Sequence, residues 1–239
     1  MKKIYTLIFL FLCLTFSSFS AFGQVGKALN DFKLGVNGGI NLNKMSFQPE
    51  IKQSYLMGES YGISARYIHE KYFALICGIQ GEINYTQRGW SEAFSDEGDS
   101  RGYKHTMTYV EIPFLAHLAL AFNKDSGSRF FINAGPQVAF LLDEKSTFSG
   151  TWTEEQITAR EDPDNYISNQ YRTTADNDFD YGIVGGVGVD IATGIGRFCI
   201  EGRYYYSLSD IYSNAKKNYF DRSAHTDILF KLTYFFSLF

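Results

Sequence analysis

The sequence predicts an all-β fold, a closed antiparallel barrel of eight strands that crosses a membrane. Three observations support this prediction. Aromatic residues make up 17% of the chain, apolar and polar residues alternate through long stretches, and no charged residue falls on the apolar side of any predicted strand. A lysine or arginine on the lipid face of such a barrel costs about 2–4 kcal/mol at the midplane. The absence of charge from that side therefore indicates lipid as the surrounding medium.

The N-terminal residues 1–23 have the pattern of a cleaved signal peptide. Two lysines precede an apolar run that is shorter than the roughly 20 residues a membrane-spanning helix needs. The small residues Ala21 and Gly23 stand at the −3 and −1 positions of a cleavage site. We therefore expect export, and a mature barrel domain formed by residues 24–239.

The clearest strand pattern lies between Thr106 and Leu142, on either side of the polar turn NKDSGS. One side of its first half, from Thr108 to Phe122, is almost wholly apolar, and the second half repeats the pattern from Phe130 onward. Strands of ordinary soluble proteins are about 5–6 residues long. A hairpin of this length with an unbroken apolar side is typical of a membrane barrel.

Six further segments alternate in the same way and complete the eight strands. Their outward, apolar positions begin and end as follows: Phe32 to Leu42, Tyr61 to Tyr67, Phe73 to Tyr85, Phe179 to Ile191, Phe198 to Leu208 and Ile228 to Phe236. The connections alternate between short and long. Short turns are expected at His69–Lys71, near Asp125 and at Gly194. Long loops are expected near Gln48, near Glu97 (from Arg88 to His105), near Asp162 and near Asn214.

In an antiparallel barrel, alternate connections lie on the same membrane face. One face therefore carries only the turns and the other only the loops, as in bacterial outer-membrane barrels. This arrangement predicts short periplasmic turns, longer extracellular loops and periplasmic N- and C-termini in the outer membrane of a Gram-negative bacterium.

Several segments resemble one known family when they are taken in order. They are FKLGVNGGINLNKMSF, QGEINYTQRGW, YVEIP, INAGPQVAFLL and YGIVGGVGVD. Together they are similar to the outer-membrane β-barrel domain of Bacteroidetes to which PorT-like proteins belong. The resemblance implies an outer-membrane barrel. It does not imply one shared activity, although PorT itself is tied to a secretion and gliding apparatus.

Charge and cysteine content exclude some classes of protein. The formal net charge is −4, so the sequence does not suggest a nucleic-acid partner. Cys77 falls on the outward side of its strand and Cys199 on the inward side of another. We therefore do not expect a disulfide between them, even in an oxidising compartment.

The inward positions carry charged side chains of both signs and two histidines: Lys33, Arg66, Glu82, Glu111, His117, Asp180, Asp190, Glu201, Arg203, His225, Asp227 and Lys231. An eight-stranded barrel is only wide enough for its own side chains to fill it, and buried charges need partners. We therefore expect a lumen plugged by ion pairs, with Glu111 and Arg203 as the first pair. A proton or ion pathway and a buried catalytic dyad are the alternatives.

Catalysis is not expected, and the sequence predicts no catalytic, cofactor-binding or metal-binding residue. An enzyme acting on lipid would need a nucleophile and a base that are reachable from the membrane face. His69 lies in a predicted turn, His105 in a predicted loop, and His117 and His225 face inward, so none joins an outward serine and a carboxylate. A lipid-modifying enzyme remains the weaker alternative. A soluble lipocalin-like barrel is disfavoured by the density of inward charges.

Function is therefore assigned to the loops. The segment 143–178 carries nine carboxylates, but Asp162–Asn165 lacks the spacing of an EF-type calcium loop, so a solvated charged loop is expected. Trp90, Trp152 and the loop tyrosines are candidates for a partner-binding surface. We predict a barrel in contact with outer-membrane lipid that binds an envelope or extracellular protein through loops 143–178 and 209–223. A narrow pore, or a component of a secretion apparatus, is the alternative.

Overall fold

A computed structural model describes residues 27–72, 74–94, 100–121, 127–154, 170–171, 173–213 and 220–236. Within these ranges the chain forms nine β-strands. They are β1 (Lys27–Gln48), β2 (Gln53–Ser54), β3 (Leu56–Tyr72), β4 (Leu75–Glu92), β5 (Gly102–Ala121), β6 (Arg129–Ser149), β7 (Phe179–Thr193), β8 (Gly196–Ser207) and β9 (Arg222–Phe236). The predicted signal peptide, the turn near Asp125 and the segment Asp162–Asn165 lie outside the described residues.

Eight of these strands close into an antiparallel barrel. The ring runs β1-β3-β4-β5-β6-β7-β8-β9, and β9 pairs back onto β1. The two-residue β2 lies outside the ring and pairs only with the end of β4. Closure confirms the predicted fold class. It also has a physical reason, because a sheet edge in hydrocarbon would leave backbone N–H and C=O groups without partners.

The predicted inward and outward faces are confirmed along the lipid belt, whereas Thr108, which is predicted to face outward, is buried. On β7, for example, 62% of Val187 is exposed on the outer wall, whereas only 2% of Val184 is exposed inside. Outward apolar side chains form a continuous belt around the barrel. Among the described residues, no helix is long and apolar enough to cross a membrane.

The two ends of the barrel differ, as the connection lengths predicted. One end, here called the turn end, carries the connections after β3, β5 and β7; the other, the loop end, carries those after β1, β4, β6 and β8. The turn predicted at His69–Lys71 is wrong. β3 continues to Tyr72, with Glu70 paired to Cys77. Polar residues mark the end of the lipid belt here, and the chain reverses a few residues later.

At the loop end, too, the strands are longer than the apolar alternation predicts. The sequence predicts loops at Arg88, at His105 and over Asp143–Ser149, but all of these residues lie in β4, β5 or β6. Once a strand leaves the lipid, its outward side can be polar without ending the backbone pairing. Hydrophobic alternation therefore stops before the strand does.

Two prolines interrupt the hydrogen-bond ladder on either side of β5. The β4–β5 register has no pairs between Gly81–Phe114 and Asn84–Glu111, beside Pro113. The β5–β6 register likewise has no pairs at Gly135 and Pro136. Gly135 lies so close to β5 that a Cβ atom at this position would be 2.1 Å from the Phe114 carbonyl oxygen. Proline has no N–H to donate, so this part of the wall is held more by packing than by pairing.

The outward belt gives a direct test of the lipid-facing surface. Val187→Arg places a cation in the middle of the belt on β7 and should lower the free energy of unfolding by about 2–4 kcal/mol. Thr147→Arg, on the outward side of β6 beyond the belt, should change it by much less. Urea titration in lipid vesicles, read from the gel shift between folded and unfolded protein, measures both variants. Equal losses would contradict the assignment of the belt.

Candidate functional site

The middle of the lumen is organised around the carboxylate of Glu82, which is only 3% exposed. Arg203 donates to both of its oxygens, at 2.9 and 2.7 Å, and the Lys231 ammonium contacts the same group. Arg203 also donates to Glu201 at 2.8 Å. Such a bidentate pair is among the stronger charge-assisted interactions in proteins, and it joins β4, β8 and β9 across the barrel.

A second layer, nearer the loop end, surrounds Arg88. Its guanidinium pairs with Glu111, with Asp180 at 2.8 Å and with Asp227 at 3.1 Å. The guanidinium carbon also lies 4.3 Å from the ring centroid of Tyr205. One buried cation therefore holds three buried carboxylates.

The plugged lumen is thus observed, but its predicted pairing of Glu111 with Arg203 is wrong. Glu111 pairs with Arg88 and Arg203 with Glu82 and Glu201, because strand tilt sets the axial level of each inward residue. Arg88 itself was missed. It lies in the polar stretch QRGW, and its continuation of the inward parity of β4 was the signal that could have identified it.

A third layer lies towards the turn end. Asp190 accepts from Arg66 at 3.1 Å and from Arg197 at 2.7 Å. Arg66 stacks on the ring of Phe235, with 4.3 Å between its guanidinium carbon and the ring centroid. The thiol of Cys199 lies in the same layer, and both described cysteines are free. Lys33 is more exposed and pairs locally with Asp31 at 2.9 Å.

Little space remains between these layers. The cavity between the Arg88 and Arg203 layers has a volume of about 20 Å³, which is enough for roughly one water molecule. The two histidines that the sequence predicts to face inward have neutral partners, His117 with Asn133 at 2.8 Å and His225 with the Tyr109 hydroxyl at 3.1 Å. Within the described residues, His, Cys, Asp and Glu form no group suited to hold a metal ion.

The loop end of the lumen is covered by an aromatic cluster. Trp90 is completely buried, with Phe47 edge-on at 5.1 Å between ring centroids and His105 stacked at 4.4 Å. Tyr212 and Phe220 from the connection after β8 complete the cover. The prediction that Trp90 forms part of a partner surface is therefore wrong, because Trp90 is part of the barrel's lid.

A more accessible aromatic group lies at the tip of the loop end. Here the Arg101 guanidinium carbon lies 5.0 Å from the ring centroid of Phe94 and 5.5 Å from that of Trp152. Trp152 also packs edge-on against Tyr171. Burial and the Glu92 carboxylate raise the pKa of Tyr171, so its hydroxyl stays protonated and donates to Glu92 at 2.6 Å.

Below this tip, His105 connects a serine to a carboxylate. The Ser146 Oγ lies 2.9 Å from Nδ1 of His105, and Oε2 of Glu144 lies 3.2 Å from its Nε2. A nucleophile, a base and a group that orients the base form the arrangement needed for covalent catalysis. The sequence does not predict this array, because the hydrophobic pattern places His105 in a loop.

The other contacts of Ser146, His105 and Glu144 indicate that these residues hold the loop end together. His105 is only 2% exposed beneath Trp90, and Ser146 also shares a hydrogen bond with the Tyr103 hydroxyl at 3.1 Å. Glu144 accepts from the Ala175 amide at 3.1 Å and so fastens the chain that follows β6. Partial burial would raise the pKa of Glu144, but the hydrogen bonds from His105 and Ala175 hold it below its usual range.

The contribution of the ion-pair layers to the free energy of unfolding can be tested by substitution. Arg88→Met leaves three buried carboxylates without their cation and should cost about 3–5 kcal/mol of unfolding free energy. Adding Glu111→Gln should restore part of that loss, because one uncompensated charge is removed.

Lys33→Met is the matched control, since its partly exposed pair with Asp31 should contribute about 0–1 kcal/mol. Urea unfolding in lipid vesicles measures all three variants. A loss for Arg88→Met no larger than that of the control would show that the Arg88 layer does not hold the lumen together.

Comparison with known proteins agrees with this architecture. The family model described as outer membrane protein beta-barrel domain matches residues 19–213. No curated protein matches the sequence.

Solved structures of low sequence identity include Ail, the attachment invasion locus protein of Yersinia pestis, at 10% identity, covering 86% of this chain and 99% of that chain, with a TM-score of 0.34. OprG from Pseudomonas aeruginosa is also 10% identical and covers 88% of this chain and 98% of its own, with a TM-score of 0.46. The outer membrane enzyme PagL is 12% identical, with coverages of 85% and 98% and a TM-score of 0.39. The match to the family model covers most of the sequence, and this chain belongs to the outer membrane protein β-barrel domain family.

Proposed function

We propose that this protein is a non-catalytic outer-membrane barrel that acts by contact through its loop end. The observation that carries the proposal is the lumen. Three layers of ion pairs around Arg66, Arg203 and Arg88 fill it, and the aromatic cluster around Trp90 covers it. The surface left for a partner is the tip of the loop end. We further propose that this end is extracellular and that both termini are periplasmic.

The tip has features suited to protein contact. Trp152, Phe94 and Arg101 are packed together and partly exposed, and aromatic and arginine side chains are enriched at the energetic centres of interfaces. Glu154, an exposed carboxylate two residues after Trp152 in the chain, adds negative charge to this part of the protein. Surface interaction, adhesion and support of an envelope assembly are the roles that fit.

A pore is the less favoured role. Water and solutes would have to pass the Arg88 and Arg203 layers, where the space between side chains admits roughly one water molecule. Opening a path would separate buried charges from their partners, which is strongly destabilising. The packing of these layers therefore supports a lumen that is closed to solutes.

Site-specific photocrosslinking in intact cells tests the contact role. A photoreactive residue at Thr151 or Ser213, in the connections after β6 and β8, should give discrete crosslinked protein species that mass spectrometry can identify. The same residue at Ile195, in the turn between β7 and β8, should not give those species. Identical products from both ends, or none from the loop end, would argue against the proposal.

A second candidate function rests on Ser146, His105 and Glu144, whose hydrogen bonds would suit acyl transfer or ester hydrolysis. If this array were catalytic, a fluorophosphonate probe would label the folded barrel in lipid, and Ser146→Ala would abolish the labelling. Because the lid buries His105, we expect no labelling of the wild-type protein. Labelling that Ser146→Ala and His105→Gln both remove would establish the enzyme.

A further inference from the structure

The outer wall of β5 and β6 carries two lysines just beyond the lipid belt. Both Lys104 and Lys145 are exposed and lie on the outward side of their strands. Thr106 pairs with Lys145 and Lys104 pairs with Thr147, so the two lysines are diagonal neighbours on one face. This lysine face contains two ammonium groups and two threonine hydroxyls. Asp143 is its one carboxylate among the described residues.

These lysines differ from the other cations on the outer wall at this end. The Lys44 ammonium lies over the Tyr55 ring, 4.2 Å from its centroid, and Arg222 contacts both the ring and the hydroxyl of Tyr206. By contrast, neither Lys104 nor Lys145 forms an ion pair with any residue that the structure describes. Their charges face outward, and no ion-pair partner for them lies in the described part of the chain.

The position of the lysine face along the barrel matches the level of lipid headgroups. The apolar belt on β6 ends at Leu142, which is exposed on the wall, and Lys145 follows three residues later. With a rise of about 3.3 Å per residue, that separation is about 10 Å along a tilted strand. Flexible lysine side chains can extend back towards the interface from this height. The lysine face therefore continues the surface that the belt presents to lipid.

We propose that Lys104 and Lys145 bind the phosphate of an anionic lipid in the leaflet at the loop end. The two ammonium groups supply charge, and the hydroxyls of Thr106 and Thr147 supply hydrogen bonds to phosphate oxygens. Each lysine close to an anionic membrane surface contributes about 1 kcal/mol, or about fivefold in binding. A docked lipid would hold the barrel at a fixed depth and would brace the part of the wall that extends beyond the belt.

Native mass spectrometry of the folded barrel, released from nanodiscs of phosphatidylcholine with added phosphatidylglycerol, tests this site. The wild-type protein should retain phosphatidylglycerol in preference to phosphatidylcholine. Lys104→Gln combined with Lys145→Gln should weaken that retention by roughly tenfold or more. A charge-matched control, Lys44→Gln with Lys52→Gln, should keep most of the preference, and the heat-dependent gel shift confirms that each variant is folded.

Three results would overturn the proposal. They are wild-type retention of both lipids alike, an unchanged preference in the Lys104 and Lys145 variant, and an equal loss in the control variant, which would indicate diffuse charge attraction. Millimolar inorganic phosphate supplies the remaining comparison. Full displacement of the lipid by free phosphate would assign the site to a soluble anion.

Discussion

The structure depends on one constraint, the need of every backbone N–H and C=O group in hydrocarbon for a partner inside the protein. The pairing of β1 with β9 meets this need by leaving the sheet without an edge. The outward alternation of apolar side chains follows from it, since each strand faces lipid on one side along its whole transmembrane length. Near the interruptions at Pro113 and Pro136 the strands are packed tightly, because Gly135 lies directly against the Phe114 carbonyl and leaves no room for a side chain.

Closure creates a second problem, which is how to fill a narrow interior with the inward side chains of eight strands. This chain fills it with charge. Arg88 and Arg203 each pair with several carboxylates and Arg66 pairs with Asp190. Arg66 and Arg88 also stack on aromatic rings. Buried ion pairs of this kind add little net stability compared with apolar packing, but removing one partner is costly. The lumen is therefore well suited to staying closed, and contact with other molecules falls to the wall and the ends.

The loop end gains its features from strands that continue beyond the lipid. On their inward sides, these extensions build the aromatic lid and bring His105 to Ser146 and Glu144. On their outward sides, they present Lys104 and Lys145 at headgroup level. A hairpin that is longer than the membrane is thick thus produces both the closed end of the lumen and the lysine face. We propose that its tip, with Trp152 and Arg101, is the part that contacts another protein.

The sequence by itself determined the fold class, the number of barrel strands and the face of the side chains along the lipid belt, because a period of two and the cost of charge in lipid leave few alternatives. It also indicated that inward charges such as Glu82 and Lys231 would pair. Only the tertiary structure decided which residues pair, since strand tilt sets the axial level of each residue and no local pattern encodes that tilt. Arg88, Trp90 and His105 lie where β4 and β5 continue past the end of the apolar alternation, so their places follow from the backbone pairing of these strands and not from the hydrophobic pattern.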